Sequence, residues 1–488
     1  MFLVCFVAPR IVVAQPEPAL PSDPAPPPPT PAPPAASPTA PASPTVTPAA
    51  APAPAPPAPA PPEPPKQEHA SDPFAYADFT WLNGNSREIE TPLDSPVFTG
   101  QFSLDTNYTY SFWHPADHSL VGSTTSGRTG EVQISDVAIG GDFHWKGTRG
   151  RVMSQFGLYS TMQPRNDSSP SRGQWNLADA YRYLSEAYGG YHWDKLHGIN
   201  LDVGLFMSYV GLCSYYDFEN WVYQESYVSA NTPWFFQGAR LQIFPTDKLK
   251  IEPWLINGWQ SYGTFNRMPG LGLQILWRPY AWLSVLSNSY FGTDTLGNPD
   301  RTRYHSDNSV QVKYFEHPAA VVDRGAFSVT VDFGCENGGG VSCVGGNSKT
   351  PSQYFAGFMV YDRLWFLHDL FGLTLGGGAI SNPGRYLVLL PPINGATATS
   401  GTPYFTTNPG QSFKAWDSSA TFDYMPSQFV TWRFEYNHRE TNVPYFAGPG
   451  GITPPGGNQG SPGSLVSGWA PDLRKDENRI QLVLMVRI

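Results

Sequence analysis

The sequence predicts an all-β chain, an antiparallel transmembrane β-barrel of about 16 strands with short periplasmic turns and long extracellular loops. Three observations carry this. Apolar and hydrophilic residues alternate with period two in segment after segment, as at Phe98, Phe102, Leu104, Tyr108, Tyr110 and Phe112 against Thr99, Gln101, Ser103, Asp105, Asn107, Thr109 and Ser111. The connections between these segments alternate between tight and long. Aromatics reach 14% while charged residues reach only 14%, against about 25% in ordinary globular domains. A soluble sandwich would carry many Lys and Glu on its solvent face, whereas here the hydrophilic parity is mostly Asn, Gln, Ser, Thr and Gly. No run of 18 apolar residues exists, which excludes a helical membrane bundle. The formal charge of −10 argues against a nucleic-acid partner, because phosphate binding needs a basic face.

The chain divides into three parts. Residues 1–14 read as the remnant of a secretory signal peptide, with Val12 and Ala14 at the −3 and −1 positions before Gln15. They lack a basic n-region, which fits a start codon lying upstream. Residues 15–73 form a Pro/Ala-rich segment: 24 of the 51 prolines fall between Pro16 and Pro65. Proline fixes φ and lacks a donor, so this stretch reads as a disordered, semi-rigid periplasmic spacer or, equally, a tolerated low-complexity tail. Residues 74–488 supply the barrel.

Sixteen alternating segments are expected there, the first near 97–112 and the last near 477–488. Among those between are 150–162, 181–193, 198–210 and 248–260. Residues 174–188 carry Trp175, Leu177, Tyr181, Leu184 and Tyr188 at near-helical spacing, so a short helix competes with strand at that point. Tight turns are expected at Lys146-Gly147-Thr148-Arg149, Asp194-Lys195-Leu196-His197, Pro245-Thr246-Asp247, Pro279-Tyr280 and Pro426-Ser427. Long connections lie near 113–130, 163–180, 211–234, 381–412 and 439–476. An even strand count returns both ends of the wall to the short-turn rim.

Cys335 and Cys343 bracket a Gly-rich loop short enough to bring their Cα atoms within disulfide reach, and in an exported protein a local disulfide or two free thiols are the readings left open. The chain has no Gly-x-Ser-x-Gly elbow, Walker A, dinucleotide-binding Gly motif or CxxC, so no enzyme activity, cofactor or metal is expected. His114-Pro-Ala-Asp117-His118 is too sparse to be more than a polar loop.

Residues 186–294 are the most distinctive. They include EAYGGYHWDKLHGINLDVGLFMSYVGL (Glu186 to Leu212), YYDFENWVYQESYVSANTPWFF (Tyr215 to Phe236) and GARLQIFPTDKLKIEPWLINGWQSYG (Gly238 to Gly263). The EAY strand, the ENW-x-Y-x-x-S core, the Thr-Pro-Trp exit, the Thr-Asp-Lys-Leu turn and Asn-Gly-Trp-Gln at 257–260 resemble the putative beta-barrel porin-2 (OmpL-like) family of outer-membrane proteins. That resemblance covers about a quarter of the chain, and strand rhythm supports the rest. It implies a Gram-negative outer-membrane barrel with pore activity, lipid around it and small hydrophilic solutes inside it. It carries no catalytic residues. Ile488 departs from the aromatic ending usual in barrel-assembly signals. A homotrimer stays open as the assembly, as does cell-wall contact through the Pro-rich arm.

In 16-stranded porins the third long loop narrows the lumen, and by order of connections 211–234 is that loop. Its Asp217, Glu219 and Glu225, opposed by Arg182, Arg240, Arg278, Lys313 and Arg433 assigned to the lumen side by parity, would form a charged constriction. The plain alternative is ordinary solvated loop and lumen charge. The function expected is a channel for small hydrophilic solutes; the rival is a non-conducting barrel serving as structural anchor or surface adhesin.

Overall fold

The computed structural model describes residues 72–347, 349–350, 352–383, 386, 413–453 and 469–488. The leader, the spacer up to residue 71 and nearly all of the connection 381–412 lie outside the described residues.

Each of the sixteen alternating segments contains a strand. The strands are β1 (Phe98–Ser111), β2 (Val132–Trp145), β3 (Thr148–Ser154), β4 (Leu184–Trp193), β5 (Ile199–Met207) and β6 (Phe235–Thr246). There follow β7 (Leu249–Ile256), β8 (Gly270–Tyr280), β9 (Leu283–Gly292), β10 (Thr302–Glu316), β11 (Val322–Asn337) and β12 (Tyr354–Phe366). The last are β13 (Phe371–Asn382), β14 (Phe413–Ser427), β15 (Val430–Thr441), the two-residue pair β16 (Phe446–Ala447) and β17 (Leu473–Arg474), and β18 (Asp476–Arg487). All but β16 and β17 join one closed antiparallel barrel of 16 strands. The seam lies between β1 and β18, in register from Ser103 opposite Arg487 to Ser111 opposite Arg479. Closure leaves no unpaired strand edge, which lipid would penalise.

The barrel is apolar outside and polar inside. Ile139, Phe143, Val203, Val331 and Leu482 are each more than half exposed on the outer surface. Their neighbours of opposite parity, among them Asp202, Thr330, Glu435 and Gln481, are fully buried. That inversion suits a wall with lipid on its outer face. Connections alternate as the sequence implies. Lys146 and Gly147, at φ 49° and 83°, make the two-residue turn between β2 and β3. The next connection, between β3 and β4, runs from 155 to 183.

Some boundaries differ. The expected strand 150–162 stops at Ser154, and Tyr159–Met162 is a helical turn, α1. Gly157 turns the chain at φ 117°, where an added Cβ would lie 2.8 Å from the carbonyls of Ile134 and Ser135. The expected strand 181–193 starts only at Leu184, because Leu177–Tyr181 forms α2, capped by Asn176 accepting from the Asp179 N–H at 3.4 Å. The expected segments 198–210 and 248–260 end early, at Met207 and Ile256.

An apolar core sits inside the ring. Phe79, Trp81 and Leu82 from the segment before β1 pack with Trp221, Val222 and Val228 of the third long connection. Wall residues Met359, Tyr361, Trp365 and Phe413 and loop residues Tyr445 and Phe446 complete it. Residues 74–97 therefore add no wall strand; Phe79 and Trp81 to Asn83 enter the barrel, while Ile89, Leu93 and Val97 stay exposed.

Candidate functional site

The connection 208–234 leaves β5, passes through Gly211 at φ 102° and returns to β6 through the short helix Tyr227–Ala230 (α3). Its polar anchors are the inward residues of distant strands. The N–H groups of Tyr223 and Gln224 donate to the two carboxylate oxygens of Glu435 on β15, at 2.7 and 2.8 Å. Thr421 on β14 donates to the same carboxylate at 2.7 Å. The Ser226 hydroxyl and the Tyr227 N–H both donate to Asp417, at 2.8 and 2.9 Å. Tyr361 accepts the Ser226 N–H at 3.0 Å. The Tyr223 hydroxyl donates to Asp105 on β1 at 2.9 Å and accepts from Asn107 at 3.1 Å. All are buried, and those that end on an ionised carboxylate are of the strong, charge-assisted kind.

The sequence-predicted charges are distributed as follows. Asp217 is buried; the Tyr159 hydroxyl and Asn220 (3.2 Å) donate to it. Burial, reinforced by the charge of Glu225, raises its carboxyl well above the usual range. Glu225 is equally buried, accepts from Thr124 at 3.3 Å, and is pushed up to about 7 by burial. Glu219 is ion-paired with Arg487 of β18. Arg433 reaches the loop through the carbonyls of Asn220 (2.7 Å) and Asp217 (3.5 Å). Arg240 stands apart on β6, bound to Asp202 at 3.0 Å and laid over Phe206 and Tyr188 at 4.6 and 4.7 Å. Arg278 and Lys313 lie at the short-turn mouth. Arg278 is covered by Phe79 and Phe74 at 4.8 and 5.0 Å, and Lys313 pairs with Glu316 at 2.6 Å.

Arg182 requires correction. It is not a wall residue but the cap of α2, where it binds Asp179 at 2.5 Å. The near-helical spacing before β4 shortened the strand and took Arg182 off the wall. The structure thus brings Asp217, Glu225 and Arg433 together and leaves the other cations elsewhere. Sequence reasoning missed Tyr159, Asp105, Asp417, Glu435 and Asn83 as partners of this loop. Parity marked Asp105 and Glu435 as hydrophilic wall, but nothing local says which wall residue meets which loop.

Cys335 and Cys343 are bonded, with Cα atoms 5.1 Å apart. Burial pushes the thiol of Cys213 well up, so it is a poor nucleophile. Asp117 latches one long loop to another: Thr453 donates its hydroxyl and N–H at 2.6 and 2.7 Å, and Ile452 its N–H at 2.8 Å. Burial would raise that carboxyl, but these bonds hold it below the usual range. Among the described residues no cluster of three or more His, Cys, Asp or Glu is placed to hold a metal ion.

Known structures of similar architecture include the outer-membrane channel DcaP of Acinetobacter baumannii. It is 11% identical with a TM-score of 0.46, over 80% of this chain and 96% of that one. The trimer form of Vibrio cholerae OmpT is 9% identical with a TM-score of 0.42, over 81% and 100%. An anion-selective porin from Comamonas acidovorans is 8% identical with a TM-score of 0.43, over 80% and 99%. No curated protein matches the chain. The family described as "Putative beta-barrel porin-2, OmpL-like" matches residues 98–460, from the first wall strand into the last long connection. With its closed ring of 16 strands, apolar outer face and polar interior, this chain belongs to that family and is a barrel of the Gram-negative outer membrane.

Proposed function

We propose that the barrel is a porin-like channel for small hydrophilic solutes, narrowed by the connection 211–234 folded against the inner wall. One observation supports this most: the loop hangs from Glu435 and Asp417 by four hydrogen bonds, all between 2.7 and 2.9 Å. A loop held so firmly is fixed as a restriction rather than left to wander. Asp217, Glu219 and Glu225 give it acidic side chains, and the wall cations Arg433 and Arg487 both contact it. Opposed charges at a narrow point filter ions by sign.

The test is a reversal-potential measurement in planar bilayers under a salt gradient. Asp217→Asn with Glu219→Gln should reduce cation preference, chiefly through Glu219, because burial favours the neutral form of Asp217. An unchanged reversal potential overturns the charged constriction while leaving the channel standing.

A second reading, a non-conducting anchor or adhesin, is favoured by the apolar cluster inside the ring, where a plain aqueous pore has water. Unitary currents from the purified, refolded barrel separate the two: stable steps support the channel, and a silent bilayer supports the anchor.

A further inference from the structure

The segment before β1 crosses the short-turn mouth. It starts at the β6–β7 turn, where the Phe74 N–H donates to the Asp247 carbonyl at 2.7 Å. The Tyr76 hydroxyl donates to the Arg278 carbonyl at 2.5 Å, and the Trp81 indole N–H to the Ala281 carbonyl at 3.2 Å. Midway, Asn83 exchanges bonds with Gln311 of β10, at 2.9 and 3.3 Å. The segment ends at the β14–β15 turn. There Arg87 donates to the carbonyls of Ser427 and Val430 at 2.9 and 2.8 Å and to the Thr431 hydroxyl at 2.8 Å. Strands β7 and β14 stand seven places apart in a ring of 16, close to opposite sides.

This crossing is built, not incidental. Phe79, Trp81 and Leu82 are almost wholly buried. Withdrawing such apolar side chains from water favours the docked arrangement. Wall cations sit on its rings: Lys248 over Tyr76 at 4.7 Å, Arg278 over Phe79 at 4.8 Å and Lys313 over Trp81 at 5.8 Å. It also touches the third long loop from beneath. The Trp221 N–H donates to the Asn83 side chain at 2.8 Å, and the Gly84 N–H to the Glu219 carbonyl at 3.1 Å. Gly84 adopts φ 74°, and a Cβ there would lie 2.1 Å from the Leu212 carbonyl oxygen. Only glycine permits so close an approach.

Beside the crossing remains a cavity of about 580 Å³. Asp78, Thr80 and Arg87 of the segment face Arg363, Asp423 and Arg433 of the wall across it. Its size falls within the ~300–1,000 Å³ typical of small-molecule sites. We propose that residues 74–90 form a second restriction of the pore, set directly against the third long loop, and that solute passes the short-turn mouth only through the cavity the two share, beside Arg87. The inference rests on the channel reading of the barrel.

Planar-bilayer recordings test it with the full chain, with a deletion of residues 74–90, and with Thr80→Cys in a Cys5→Ser, Cys213→Ser background. The deletion should raise unitary conductance severalfold. A bulky methanethiosulfonate reagent should lower the Thr80→Cys current stepwise, with labelling verified by mass. If the deletion does not yield a heat-shifted barrel band, the Thr80→Cys current decides alone. Conductance unchanged by deletion, or by complete labelling, overturns this restriction but not the channel. Silence from every folded barrel overturns the channel reading and this inference together.

Discussion

Arg433 and Asp423 face each other across β14 and β15, joined by two bonds of 2.7 and 3.0 Å on the wall of the cavity beside residues 74–90. Arg363 shares the same carboxylate at 2.8 Å. Arg433 also carries the carbonyl of Asn220, so the wall ion pair and the third long loop are one structure.

Removing one partner of a buried pair costs about 3–5 kcal/mol when the other charge is left alone; here Arg363 still holds Asp423, so the loss should be smaller. Arg433→Ala should therefore lower the temperature at which the folded gel band converts to the unfolded one. Arg433→Lys keeps the charge but not the two-pronged geometry, and should fall between. Equal conversion temperatures for all three chains would sink the argument.

Glu225 supplies a pH dependence. Its carboxyl is pushed from 4.5 to about 7 by burial, so the folded loop holds a proton that the unfolded chain releases earlier. The stabilising contribution is full below about 4.5 and is lost as pH rises through about 7. Glu225→Gln should remove that loss, giving a barrel whose urea resistance changes less across this window. In the same window the native chain should gain cation preference as the proton leaves, and the variant should not. Identical pH profiles for the two proteins would contradict this.

The inverted wall makes a third prediction. Val331 faces lipid from the middle of β11 while its neighbour Thr330 is fully buried inside. Val331→Arg puts a charge into hydrocarbon, costing about 2–4 kcal/mol at the bilayer midplane. Folding titrations in lipid vesicles should show the loss, and Val331→Leu should not.

The wall was legible because its signal is local. Each strand declares itself through alternation, and hairpin turns such as Lys146-Gly147 declare their own geometry. Where short helices intruded, at Tyr159–Met162 and Leu177–Tyr181, the strand reading overran. The interior was much less legible. Asp217 and Glu225 stood out as acids in a long loop, but their partners Tyr159 and Thr124 lie in two other connections, and the wall residues that hold the rest of the loop, Asp105, Asp417 and Glu435, lie on β1, β14 and β15. The segment 74–97 gave the weakest sign of all: its rings resemble those of a strand, and only contact with Asp247, Gln311 and Val430 reveals what they do.

The seam between β1 and β18 bears on assembly order. The first wall strand finds its second neighbour only when the last residues of the chain have been made. Until then Phe79, Trp81 and Leu82, which precede that strand, have no finished interior to enter. The rings of Phe79 and Trp81 meet Arg278 of β8 and Lys313 of β10, but the cluster they join is complete only with Phe413, Tyr445 and Phe446 near the end of the chain. Ring closure and docking of the amino-terminal residues should therefore be separate events, with docking the later one.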